Sequence, residues 1–173
     1  LELELRELED QQHFLTLEQI FIENRVYKRI ETAKTAEAVR KEVSIPLAVK
    51  VGPYFSSIAN MMVRLQDAGA NGLVLFNRFL QPDIDLEALQ VHPNVELSTS
   101  FESRLPLRWI AATANRVGCD LVASSGVHDG AAVVKQVLAG ARSVQVVSAL
   151  YRNGTGHIRL MLDQLREWMK AHG

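Results

Sequence analysis

The residues with the most pointed chemistry in this chain stand at the ends of short apolar runs. Lys50 lies in Leu47-Ala-Val-Lys-Val51, with apolar neighbours on both sides. A lysine buried in a parallel strand demands an anion or a functional reason, whereas one at a strand's end snorkels to water and need do nothing. Asn77 and Arg78 directly follow Leu73-Val-Leu-Phe76. An amide at that place either orients a ligand or holds a turn together. Ala123-Ser-Ser-Gly-Val-His-Asp-Gly130 joins one such run to a helical pattern, and Val147-Ser-Ala-Leu150 follows the next. Small residues let a backbone approach a ligand closely, and N–H groups near a helix start attract phosphate. Two turns of this kind in successive units, at Ser125-Gly126 and at Val147-Ser148, predict a phosphate-binding site.

Other reactive side chains carry less. The histidines at 13, 92, 128, 157 and 172 have no metal-ligand spacing and read as solvated or loop residues. Cys119 falls at a strand's N-terminal end, where a small buried apolar residue is favoured over a nucleophile. As the one cysteine, it excludes a disulfide framework and a cysteine-rich zinc site, and it fits a reducing cytoplasm. Asp83, Asp85 and Glu87 form an acidic cluster without ligand spacing, and helix N-terminal charge accounts for Asp85 and Glu87. No metal site is predicted.

The elements that must position these residues follow from periodicity. Runs Leu47–Val51, Leu73–Phe76, Leu121–Ala123 and Val144–Val147 are apolar on both sides of the alternation, as strands buried on both faces must be. Helical patterns at Ser57–Ala68, Leu105–Val117, Gly130–Ala139 and His157–Ala171 alternate with them. Gly69, Gly118 and Gly140 each stand where a left-handed helix C-cap would precede the next strand. Strand, helix, Gly, strand, repeated, is a parallel α/β pattern. An irregular excursion between Asn77 and Arg104 sits where such folds place binding loops.

The first 43 residues differ: they hold neither Gly nor Pro, and charge is dense. Leu1, Leu5, Leu8 and Leu15, then Ile22, Val26 and Ile30, mark an amphipathic helix or two, with Thr16 and Gln19 as a capping box. A third short helix opens at Thr35 and ends near Val43. Such helices either lie on another surface or pair as a coiled coil. At 173 residues the chain suits one domain with or without an appendage, and it is shorter than a full (β/α)8 barrel of about 250 residues. A net charge of -1 gives no pull toward nucleic acid. No apolar run nears the roughly 18 residues of a membrane span, so a soluble, cytoplasmic piece of something larger is expected.

From Ser44 onward the chain resembles the C-terminal half of the dihydroorotate dehydrogenase family, flavin-dependent barrels of pyrimidine synthesis. The motifs are Ile45-Pro-Leu-Ala-Val-Lys-Val-Gly-Pro-Tyr-Phe55, Ala68-Gly-Ala-Asn-Gly-Leu-Val-Leu-Phe-Asn77, Ala123-Ser-Ser-Gly-Val127 and Ala139-Gly-Ala-Arg-Ser-Val-Gln-Val-Val-Ser-Ala-Leu150, in the family's order. The resemblance implies an α/β fold, the last four βα units of a partial TIM-type (β/α)8 barrel over 44–173, behind a helical segment over 1–43. It implies FMN as cofactor, with Lys50 near N1 and O2 of the ring, Asn77 facing flavin and substrate, and Ser125, Gly126, Val147 and Ser148 holding the phosphate. A cation at N1 and O2 stabilises the anionic reduced flavin. It further implies oxidation of a dihydroorotate-like small molecule, with the catalytic base in the half of the barrel that has no counterpart here. The chain departs from the family at Arg78, where a small hydroxyl residue is usual, and at Leu97-Ser-Thr-Ser-Phe101, which replaces a Gly-rich loop.

Residues Phe14–Ile30 resemble instead the helical stalk of a bacterial topoisomerase IV A subunit. Three readings result: a catalytically incomplete flavoenzyme; a non-catalytic half-barrel that binds a phosphorylated ligand or pairs with another copy; and a fusion carrying a helical interaction segment. If residues 1–43 are foreign to the βα part, deleting them leaves its denaturant midpoint unchanged. If they cover it, even a few hundred Å² at roughly 25 cal/mol per Å² amounts to several kcal/mol, and the truncated chain collapses or aggregates.

Overall fold

A computed structural model describes residues 33–79, 81–92 and 96–173. The helices and capping box read from residues 1–30, with the stalk-like segment, lie outside the described residues. The chain divides into two compact units, Leu1–Ile45 and Pro46–Gly173. In the first, helix α1 (Ala36–Glu42) starts where Thr35 predicts it, the Thr35 hydroxyl accepting the Ala38 N–H at 3.2 Å. At its other end the Arg40 guanidinium donates to the Ile45 carbonyl at 2.7 Å.

The second unit runs β1 (Ala48–Val51), α2 (Ile58–Asp67), β2 (Gly72–Leu75), β3 (Asp83–Asp85), β4 (Gln90–His92), a 3-10 turn (Ser100–Ser103), α3 (Arg104–Thr113), β5 (Asp120–Ser124), α4 (Gly130–Leu138), β6 (Ser143–Gln145), α5 (Ser148–Asn153) and α6 (His157–His172). Four strands form one sheet in the order β1-β2-β5-β6, every neighbouring pair parallel. Strands β3 and β4 make a separate antiparallel hairpin. This is a mixed α/β fold built on a four-stranded parallel sheet.

Alternation sorts the sheet residues into two faces. Val49, Val51, Leu73, Leu75, Leu121, Ala123 and Val144 pack with Ile58 and Met62 of α2 and Ile110 of α3 in one core. The buried positions fall at i, i+4 on α2 and at Pro106, Ile110 and Thr113 on α3, the helical spacing read from the sequence. A smaller core gathers Val127, Ala132 of α4 and Met161 of α6. Lys50, Val74 and Val122 belong to the opposite face.

Several expectations are corrected. Burial on both faces holds for β2, all four of whose residues are buried, but β1 and β6 alternate exposed and half-buried residues because each lacks a neighbour on one side. Gly69 and Gly140 adopt φ of 97° and 113°, as left-handed caps do, whereas Gly118 does not, and its N–H goes to the Gln66 side chain. Helix α3 stops at Thr113, whose hydroxyl donates to the Trp109 carbonyl at 2.6 Å, short of the predicted Val117. The last strand ends at Gln145 rather than Val147, and the unpredicted α5 follows. Among the described residues no helix is long and apolar enough to cross a membrane.

Ile110 is completely buried at the centre of the main core. Replacing it with alanine removes three methyl(ene) carbons from a site that cannot fully collapse. We expect Ile110→Ala to lower unfolding free energy by about 2–5 kcal/mol, read from denaturant midpoints at constant slope.

Candidate functional site

All four strands of the parallel sheet point the same way, so their C-terminal ends share one rim. Lys50 stands in register with Val74, which pairs in turn with Val122, while Gln145 is in register with Ser124. From β1 the Lys50 ammonium reaches across this face and donates to Gln145 Oε1 of β6 at 3.0 Å. Lys50 is exposed on an edge strand rather than buried against an anion: water solvates it, and its partner is a neutral amide.

Asn77 lies on the same rim, exposed, its backbone N–H donating to the Val51 carbonyl at 2.7 Å. That bond extends the β1–β2 pairing past the ladder and fixes where the amide begins. Arg78 is committed elsewhere. Its Nε donates to Glu102 Oε2 at 2.7 Å, and its Nη1 donates to the Glu96 carbonyl. The second Glu102 oxygen accepts the Thr99 N–H at 2.8 Å, so Arg78 ties the end of β2 to the 3-10 turn.

The two predicted turns are brought together by a residue outside both. Ser98 is 4% exposed, and its N–H donates to Ser148 Oγ at 2.9 Å. Its own hydroxyl oxygen accepts the Gly126 N–H at 3.4 Å and lies 3.2 Å from His128 Nε2. Ser125 donates to the Phe76 carbonyl at 3.4 Å. Ser125 and Gly126 both have positive φ, 83° and 74°, and a Cβ at 126 would fall 2.1 Å from the Ser103 nitrogen, so only glycine fits there. A non-glycine held at φ 83° is the kind of backbone strain that gathers at ligand-binding turns. Val147 caps the start of α5, its carbonyl accepting the Leu150 and Tyr151 N–H groups, while its side chain is exposed. Sequence reasoning missed Ser98. The signal was present as Ser98-Thr-Ser100 before a helix, noted above only as the substitute for a Gly-rich loop.

Histidines 128 and 157 are not free loop residues. The His157 Nε2–H donates to the His128 carbonyl at 2.8 Å, while the His128 ring meets Ser98. His172 stacks on Trp168 at 4.6 Å, and His92 is exposed in β4; His13 lies outside the described residues. The acidic cluster is no helix start: Asp85 Oδ1 accepts the Glu87 and Ala88 N–H groups at 2.9 and 3.0 Å, folding the β3–β4 turn. Among the described residues no three His, Cys, Asp or Glu side chains gather to hold a metal ion. Cys119 immediately precedes β5, at the sheet end opposite the rim. Burial pushes its thiol above the ordinary value, with the Asp120 carboxylate adding to the effect, which keeps it protonated at neutral pH. Behind the rim, fully buried Gln136 donates to the Ser103 carbonyl at 2.9 Å.

No protein-family model matches the chain. Among curated proteins it is 33% identical over 137 residues to the dihydroorotate dehydrogenase B (NAD(+)) catalytic subunit of Citrifermentans bemidjiense, covering 78% of this chain and 45% of that protein. The corresponding subunit of Methanocaldococcus jannaschii is 24% identical over the same length and shares. Dihydroorotate dehydrogenase A (fumarate) of Lacticaseibacillus paracasei is 30% identical over 122 residues, 69% of this chain and 42% of that protein. The chain thus spans less than half the length of these relatives. Over the matched stretch the chain is dihydroorotate dehydrogenase-like.

Proposed function

We propose that the chain is part of an FMN-dependent oxidoreductase of dihydroorotate dehydrogenase type, catalytically incomplete as it stands. Its parallel sheet is read as the last four βα units of a (β/α)8 barrel. The observation that carries this reading is the meeting of two turns at Ser98: Gly126 on one side and Ser148 on the other, at the rim where βα folds bind ligands. The donor set suits a phosphate. It comprises serine hydroxyls, backbone N–H groups and an imidazole without a carboxylate, and a bound phosphate would take over bonds that these groups now make with one another.

In this reading Ser98, Ser125, Gly126 and Ser148 hold the phosphate, with the backbone at Val147 beside them. Lys50 lies on the face open to a flavin ring, and its cation favours electron density at N1 and O2. Asn77, anchored through its backbone to Val51, presents its amide to the ring and a dihydropyrimidine-like substrate. Bound FMN would supply the hydride acceptor. The described rim offers no group assigned as base, and the half of the barrel without a counterpart here is where one is expected. Arg78, held by Glu102, puts a cation in place of a small hydroxyl next to Asn77, which bears on the substrate more than on FMN. The setting proposed is cytoplasmic, with a small-molecule substrate.

A second reading is favoured by the exposed edges of β1 and β6. The sheet then belongs to a half-barrel that binds a phosphorylated ligand without catalysis and pairs with another copy. A concentration-dependent dimer that takes up no flavin supports it.

Because this reading supplies the phosphate contacts and lacks half of the ring's wall, FMN is expected to bind far more tightly than riboflavin. Flavin fluorescence titrations check this, and equal affinities would sink the phosphate-site assignment. Dihydroorotate turnover by the isolated chain is expected to be undetectable, since losing a general base alone typically costs about 10²–10⁴-fold. Rapid flavin bleaching on mixing with dihydroorotate would reveal a base on this chain, with His128 the first residue to test.

A further inference from the structure

We propose that His128 is a positioning residue of the phosphate grip and acts through Ser98, so that an imidazolium at 128 turns the Ser98 hydroxyl proton toward a bound phosphate. The inference rests on the phosphate reading above and adds to it a residue and a pH dependence.

Ser98 Oγ has one proton and two lone pairs. Gly126 N–H can only donate, so it occupies one lone pair. The other close neighbour is His128 Nε2, at 3.2 Å. With Nε2 bare, the hydroxyl proton is spent on the ring. With Nε2 protonated, the ring donates into the second lone pair, and the hydroxyl proton must turn elsewhere. The Ser98 N–H is bonded to Ser148 Oγ, which sets the two turns side by side, and the proposal assigns a phosphate held between them as the acceptor of the freed proton. A phosphate therefore gains a hydroxyl donor and a nearby positive charge from a single protonation, and in return it favours the imidazolium.

The backbone that carries the ring is anchored. The His128 carbonyl accepts from His157, which fixes the backbone under the imidazole, and His128 is half-buried. The charged and titratable groups on the neighbouring elements make bonds of their own. One oxygen of the Asp129 carboxylate, Oδ1, accepts the Ala132 N–H at 2.7 Å and caps α4. Arg152 of α5 donates to the Leu97 carbonyl at 3.2 Å. His157 of α6 gives its ring N–H to the His128 carbonyl. Glu102 is engaged by Arg78.

The test uses the full chain with two probes, FMN and inorganic phosphate. FMN fluorescence titrations of the wild type and His128→Gln are compared between about pH 8 and about pH 5.5, the span over which an ordinary histidine charges. The phosphate group of FMN itself titrates in this span, and the ratio of the two proteins' affinities cancels that contribution. The ratio is expected to grow about tenfold toward low pH, the order of one charge-assisted hydrogen bond. A flat ratio overturns the inference. Imidazole NMR of the wild type gives a second measure that needs no His128 variant: inorganic phosphate should raise the His128 titration midpoint, and Ser98→Ala should blunt the rise. If phosphate moves the midpoint while FMN binds no better than phosphate, the role of His128 stands and the flavin reading falls. If FMN binds through its phosphate and both His128 measures stay flat, the flavin reading stands and this inference falls. No response to either probe overturns both.

Discussion

Every residue of β2 is buried, so each of its backbone N–H and C=O groups has to find a partner within the sheet. That demand is met by parallel neighbours on both sides, Val49 against Leu73 and Leu73 against Leu121 in direct register. Parallel pairing leaves no freedom about direction. At the incoming end, Asn71 accepts the Asp120 N–H at its carbonyl and the Leu47 N–H at its side chain. At the outgoing end the same ladder overruns into Asn77 N–H on Val51 and Phe76 N–H on Ser124. Lys50, Asn77, Ser125 and Gln145 reach one rim because β2 can be satisfied in no other way.

Interactions at the rim are of a different kind. Behind the sheet, apolar side chains from α2 and α3 fill space against Leu73, Leu75, Leu121 and Ala123, and their chemistry is interchangeable so long as volume is kept. At the rim, polar groups are counted singly. Ser98 is nearly inaccessible to water, so its hydroxyl and N–H must be paired by Gly126, His128 and Ser148. The tightness extends behind the turn, where the Ser103 backbone approaches Gly126 closely and the Ser103 carbonyl is met by Gln136. Among the described residues one orphan remains, the buried Gln136 Oε1. Buried acceptors without donors are costly, and this one is a natural place for an ordered water.

What was legible in the sequence follows this division. The four parallel strands and their helices could be read because alternation and 3.6-residue periodicity are local, and burial reinforces them. Ser125, Gly126 and Ser148 stand out only because turns of small residues follow two successive strands, since any single βα connection can hold Ser and Gly. The hairpin of β3 and β4 was hidden because its apolar residues, Ile84 at 62% and Val91 at 68% exposed, face outward, where apolar periodicity signals no core. For Lys50 the local sequence leaves two alternatives, burial against an anion or escape to water. Only strand order, which places β1 at an edge, decides between them. Ser98 acquires its importance from residues 28, 30 and 50 positions away, contacts that no local pattern encodes.

Those separations have a kinetic side. The Lys50–Gln145 bond joins residues 95 positions apart, so it closes a loop containing most of the second unit. Loop-closure entropy has to be paid before such a contact returns anything, and parallel sheets, which have only crossovers and no hairpins to start from, fold slowly for this reason. Central pairings between β2 and β5 can form while β6 is still unattached. The rim is complete only when the last strand docks, so under the phosphate proposal ligand affinity would be a late reporter of folding and β6 the strand whose loosening would release the ligand first.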